Sequence, residues 1–171
     1  MRRRPPVLAS TSPRAQPDAK QRGDPASAHF RIADWPFYLI ARTAGRYARG
    51  METALRRLDL DLASWRALML VHETNPSSVS EIAERAVMRL STMTRVVQRL
   101  EKKSLVKLSR RRSDARVTEV HLTPLGKRCV ERDRRTAGAI YRRAMRDFSS
   151  ADITVLNGFT RRIFANLANS P

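Results

Sequence analysis

The stretch Arg89–Gly126, RLSTMTRVVQRLEKKSLVKLSRRRSDARVTEVHLTPLG, decides the reading of this chain. Met93, Val96, Val97 and Leu100 recur at the i, i+3, i+4, i+7 spacing of one helix face, and Ser91 stands where an N-cap is expected. Two short runs follow, LVKLS at 105–109 and VTEVHL at 117–122; the second is rich in β-branched residues, and both read as strands. Between them lies RRRSDAR. From Arg89 to Arg116 there are ten Lys or Arg against Glu101 and Asp114. The densest positive charge therefore falls on a hairpin beside a helix.

Immediately upstream is SSVSEIAERA at 77–86. Ser78 and Glu81 have capping-box spacing, with Ser80 an alternative cap, and Ile82, Ala83 and Ala86 give a short helix its buried side. Two helices joined by the brief turn VMRL suggest a helix-turn-helix, and a basic β-hairpin after it makes a winged helix. Further back, Phe37, Ala41, Ala44, Ala48, Met51, Leu55 and Leu58 hold one helix face for six turns, and Pro36 suits its first turn. A second helix from about Asp61 groups Leu62, Trp65, Leu68, Met69 and His72, and ETNPSS ends it. After the wing, Thr123 and Pro124 open a long charged helix to about Phe148, with a thin stripe of Leu125, Cys129, Thr136, Ile140 and Phe148. A last helix, about Asp152 to Ala168, aligns Ile153, Leu156, Thr160, Ile163 and Leu167. The fold expected is mainly α with a small β-hairpin wing: a winged helix-turn-helix with N- and C-terminal helices, which the family resemblance given below implies are dimerisation helices.

Residues 1–28 hold five of the nine prolines, six basic and two acidic residues and no periodicity, so a disordered basic tail is expected there. Residues 29–171 read as a single domain, with a DNA-binding lobe at about 61–122 and dimerisation helices at about 35–58 and 123–168. Net charge is +18 and the pI about 11.6 over 171 residues, which draws the chain to polyanions. No apolar run reaches the length of a membrane span, and no apolar segment follows the basic start as in a secretory signal. A lone cysteine, Cys129, fits a reducing cytoplasm. His29, His72 and His121 are scattered, and no GxSxG, HExxH or phosphate-binding glycine loop occurs. No catalytic residue, metal ligand or cofactor is therefore expected, and the chain is not read as an enzyme.

With its seam facing inward, the helix after VMRL presents Ser91, Thr92, Thr94, Arg95, Gln98 and Arg99 outward. Arg can bond guanine O6 and N7, Gln can bond adenine, and hydroxyls take phosphates or base edges, so these types suit a major groove of double-stranded DNA. Arg110, Arg111, Arg112 and Arg116 on a narrow ribbon suit a minor groove, where negative potential concentrates. Asp114, two residues from Arg116, either holds that guanidinium by a bidentate pair or serves turn geometry alone.

These motifs resemble the MarR family of bacterial transcriptional regulators, from about Trp35 to Leu167. The sharpest likeness is Asp114-x-Arg116, a strand, then LTPLG at Leu122–Gly126; SVSEIAERA and STMTRVVQRLEKKSLV look like the family's two DNA-contacting helices. Ser104 departs from a usual glycine and Ala115 from a common arginine. The resemblance implies Ser91–Arg99 as recognition helix and Arg116 as minor-groove wing residue. It also implies a homodimer on a pseudo-palindromic operator and a small-molecule effector between the dimer helices and the DNA-binding lobe. Candidate effector contacts are Trp35, Tyr38, Arg42 and Arg46 on the first helix and Trp65 and His72 on the second; aromatic walls with a guanidinium suit a small aromatic carboxylate or its coenzyme A thioester. Repression relieved by such a ligand is the expected activity. The rival readings are a nonspecific architectural nucleic-acid binder and a redox sensor acting through Cys129.

Overall fold

A computed structural model describes residues 16–168. The residues up to Arg46 and those from Tyr47 onward form two compact units. In the first, helix α1 (Ala19–Gly23) is closed by a reciprocal capping box. Asp18 accepts the Gln21 N–H at 2.8 Å, and the Gln21 side chain accepts the Asp18 N–H at 3.0 Å. Arg22 then pairs with Asp34 at 2.9 Å, and Arg31 N–H bonds the Arg22 carbonyl at 2.8 Å. This corrects the expectation of disorder to residue 28 for the part described, because the cap and the ion pair supply order that hydrophobic periodicity does not register. Residues 1–15 of the expected tail lie outside the described residues. A 3-10 turn (Ile32–Asp34) leads into helix α2 (Pro36–Arg56), which begins at Pro36 as its fixed φ favours.

The second unit carries the core. Met51 and Leu55 of α2 are fully buried, together with Leu68 and Val71 of α3 (Leu62–Glu73), Ile82 of α4 (Val79–Arg85) and Met93, Val96, Val97 and Leu100 of α5 (Leu90–Lys102). Asp61 caps α3 by accepting the Ser64 N–H at 2.7 Å. Ser78 and Glu81 form the capping box of α4. For α5 the expected cap is displaced: Arg89 occupies the cap position without a side-chain bond, and Ser91 lies inside the first turn. Both α4 and α5 end in the same 6→1 and 5→2 hydrogen-bond pair. Met88 and Val87 bond back to Ala83 and Glu84, and Leu105 and Ser104 bond back to Leu100 and Glu101. That motif puts Val87 (φ 53°) and Ser104 (φ 56°) in the left-handed region, where glycine is the ordinary occupant.

Strands β2 (Val106–Arg111) and β3 (Asp114–Leu122) pair antiparallel, with Val106 opposite Leu122 and Arg110 opposite Thr118. The ladder then shifts, and Arg111 faces Asp114. The strands therefore reach further than the expected runs, and Arg110, Arg111 and Arg116 stand on the ribbon itself. A third strand that periodicity missed, β1 (Ser77–Ser78), joins β3 on its other edge, Ser77 opposite Val120, giving the order β1-β3-β2. Two residues are too few to alternate visibly.

Helix α6 (Pro124–Ala144) is capped by Thr123, whose hydroxyl accepts the Gly126 N–H at 2.9 Å and donates to the Ser104 carbonyl at 2.8 Å. A Cβ on Gly126 would lie 2.0 Å from the Leu105 carbonyl oxygen, so only glycine lets this turn close on the start of the wing. Helix α7 (Ser150–Ala168) buries none of its residues; Val155, Leu156, Phe159, Phe164 and Leu167 are all exposed. Among the described residues no helix is long and apolar enough to cross a membrane.

Candidate nucleic-acid interface

Burial of Met93, Val96, Val97 and Leu100 fixes which side of α5 looks outward. Ser91, Thr92, Arg95, Gln98 and Arg99 are exposed, while Thr94 is half-buried and its hydroxyl donates to the Leu90 carbonyl at 2.9 Å. The outward residues differ in how they are held. Arg95 and Gln98 make no side-chain bond within the described residues. Arg99 is paired with Asp61 at 2.7 Å. Burial pushes the Asp61 carboxyl up, but the Ser64 hydrogen bonds and the Arg99 charge outweigh it and hold Asp61 below the usual carboxylate range. One turn on, Lys103 pairs with Asp59 at 2.7 Å and also donates to the Asp59 carbonyl. The C-terminal end of α5 is thus tied to the α2–α3 connection through Arg99 and Lys103, and Arg95 and Gln98 are left without such a tie.

On the wing, Arg116 is set by Asp114. One carboxylate oxygen accepts the Arg116 N–H at 3.0 Å and Nε at 3.1 Å, and the other accepts Nη2 at 3.3 Å. The Arg116 side chain stays 92% exposed, so the tether holds it without covering it. The register shift leaves Ala115, Arg116 and Val117 without a paired residue on β2, a bulge of the kind that re-aims side chains. Arg110 donates to the Ala115 carbonyl at 3.1 Å across that bulge. Arg112 is exposed at the turn. Arg111 behaves differently: it pairs with Glu119 at 2.8 Å and reaches Glu81 of α4 at 3.8 Å, so it braces the wing against the helix-turn-helix.

The two halves meet in one cleft of about 340 Å³. Leu90, Thr94, Val97 and Gln98 of α5 line one wall, Arg116, Val117 and Thr118 of the wing the other, and Val79 and Ser80 the floor between them. The sequence alone places none of Leu90, Ser80 and Thr118 at the interface, because their place in this cleft depends on strand and helix coming together.

A helix with an outward polar face, beside a ribbon that extends an anchored arginine, defines a winged-helix DNA-binding protein. The family model described as MarR family matches residues 60–118, the helix-turn-helix and most of the wing. The chain is 38% identical to the HTH-type transcriptional repressor IacR of Pseudomonas putida, over 84% of this chain and 86% of that one. It belongs to the MarR family and is a transcriptional regulator. A probable transcriptional regulator from Pseudomonas aeruginosa matches the structure with a TM-score of 0.69 at 27% identity, over 78% of this chain and 99% of that one. CouR from Rhodococcus jostii RHA1, solved bound to p-coumaroyl-CoA, shares the fold with a TM-score of 0.72 at 20% identity, over 78% of this chain and 94% of that one.

The residues expected to meet an effector are placed unevenly. In the first unit, Trp35 packs edge-on against Phe30 and Phe37, at ring separations of 6.1 and 6.3 Å. Arg42 lies over the Tyr38 ring, 5.3 Å from its centre, and donates to the Tyr38 hydroxyl at 3.3 Å; Arg46 is exposed. In the second unit, Trp65 is a core residue with 6% of its surface exposed, so it packs the lobe rather than offering an open wall, and His72 is half-buried. Cys129 is buried on α6 and donates to Asp133 Oδ2 at 3.2 Å; burial, with Asp133 beside it, pushes the thiol up to about 11. A thiol so raised holds almost no thiolate at neutral pH, which is the reactive form.

Proposed function

We propose that the protein is a sequence-specific repressor that binds a pseudo-palindromic operator as a homodimer and leaves it when a small aromatic carboxylate, or its coenzyme A thioester, binds. The observation that carries the DNA part is the shared cleft, which sets Gln98 and Thr94 opposite the anchored Arg116. That spacing suits a helix in the major groove and a ribbon in the adjacent minor groove, with one backbone strand between them. The homodimer is supported by the apolar residues exposed along α7, together with Tyr141 and Phe148, which a lone chain would leave in water. Two-fold symmetry then sets half-sites about 10 bp apart. A cytoplasmic location follows from such a role.

The effector class rests on Tyr38, Arg42, Arg46 and Trp35, a guanidinium and aromatic set that suits a planar carboxylate, and on likeness in fold to a regulator bound to an aromatic acyl-CoA. The decisive experiment selects binding sites from random DNA and then adds a panel of aromatic acids and thioesters. The reading expects at least about a thousandfold preference over random sequence and release by a member of the panel. Equal affinity for all DNA would favour the architectural alternative. Sedimentation as a monomer at micromolar concentration would remove the dimer.

A further inference from the structure

We propose that Val87 and Leu90 form an apolar contact for thymine C5-methyl groups, so that the turn side of the recognition helix reads T·A pairs. Val87 is 71% and Leu90 54% exposed, and among the described residues they are the only exposed large hydrophobics between Tyr47 and Leu125. Every other residue of that kind among the described residues lies on or beside α2, α6 or α7 in the chain.

Val87 is the sharper anomaly. It ends α4 in the left-handed region at φ 53°, a conformation that a β-branched side chain tolerates poorly. Packing does not compensate, since the side chain is in solvent. Glycine would serve the turn better, so neither turn geometry nor packing accounts for an exposed β-branched residue here. Leu90 opens α5 three residues later. Its side chain lines the cleft together with Thr94, Gln98 and Arg116, so it faces where the duplex would lie. Arg89, Ser91 and Thr92 around it are all exposed and polar.

Two exposed apolar residues at the turn into a polar, cationic helix need a complementary surface on the polyanion. In the major groove that surface is the thymine methyl; the other base edges there offer hydrogen-bond donors and acceptors. The N-terminal residues of a recognition helix are those that meet base edges. The inference rests on α5 being the base-reading helix, as proposed above.

The test uses the full chain and a site enriched from a random pool by that chain. Each thymine of the site is replaced in turn by deoxyuridine, which removes only the methyl. The expected result is a loss of about fourfold in affinity per contacted methyl, the worth of one buried carbon. Val87→Ala with Leu90→Ala should bind the dT and dU sites equally. Should that variant melt early, Val87→Gly with Leu90→Ala relieves the left-handed residue and makes the same comparison. If no single dU replacement weakens the unaltered protein, or if the variants keep its dT-to-dU ratio, the inference is overturned while specific binding stands. Failure to enrich any site overturns both.

Discussion

Asp114 grips Arg116 through its backbone N–H, Nε and Nη2, yet leaves the Arg116 side chain almost wholly in water. A surface pair of this kind adds little to stability. What the pair does is restrict where a long side chain points, which is what the proposed minor-groove contact of Arg116 requires.

Asp114→Ala should therefore weaken operator binding several-fold, although it makes an already cationic protein more positive. Fluorescence anisotropy at fixed salt reads the sign of the change, and tighter binding would show that charge alone governs the wing. The Arg116 hydrogen bonds, side chain first, hold the Asp114 carboxyl below the usual carboxylate range. With the folded value lowered, the tether is complete above the ordinary carboxylate pKa and is lost only as pH falls through that lowered value. Operator affinity should show no wing-dependent change across the neutral range.

The unequal state of two arginines on α5 sets a second expectation. Arg95→Ala should cost about 1–3 kcal/mol of operator affinity and relax preference at one base pair. Arg99→Ala should cost less, because Arg99 is already engaged by Asp61. Asp61→Asn keeps the α3 cap, since Asn caps as well as Asp, and releases Arg99. The salt dependence of DNA binding should then steepen by about one phosphate contact. A slope identical to the parent's would mean that Arg99 never reaches the backbone.

Two backbone positions give opposite stability outcomes. Ser104, left-handed at the end of α5, should gain about 1 kcal/mol as Ser104→Gly, a rise of about 2–4 °C in melting temperature. Gly126→Ala forces a methyl onto the Leu105 carbonyl and should cost roughly 3 kcal/mol or more. Calorimetric melting of the two variants beside the parent checks both signs.

Cys129 should be inert to peroxide and to alkylation in the folded protein. Its thiol titrates near 11 against an ordinary 9.0, so its contribution to stability is full below about pH 9 and is lost as pH rises towards 11. Cys129→Ser should bind the operator like the parent and show the same response to peroxide. Release by peroxide that this substitution abolishes would restore the oxidation reading.

The helices were legible because the buried seams of α3 and α5, the start of α3 near Asp61, and the caps Ser78 and Thr123 are local signals within a few residues of one another. The wing was legible from two β-like runs around a basic turn. Other features depend on distant residues. Arg99 and Asp61 are 38 positions apart, and nothing in either neighbourhood announces the pair. Trp65 and His72 share a helical stripe, yet the core takes Trp65 deep and leaves His72 half-open, since one face periodicity contains both depths. Arg111 looked like any of its three neighbours until Glu119 across the hairpin and Glu81 on α4 claimed it.

Ser78 ends β1 opposite Glu119 and also caps α4, so a single residue belongs to the sheet of the wing and to the first helix of the helix-turn-helix. Arg111 closes the same joint from the other strand. Under the proposed function the lobe then works as a calliper of fixed opening rather than a hinged pair of jaws. A duplex whose grooves do not match that opening has to be bent to fit, at a cost set by its own stiffness. Selection among sites then extends to base pairs that no side chain touches, and pyrimidine–purine steps between the two grooves should be enriched in the preferred operator.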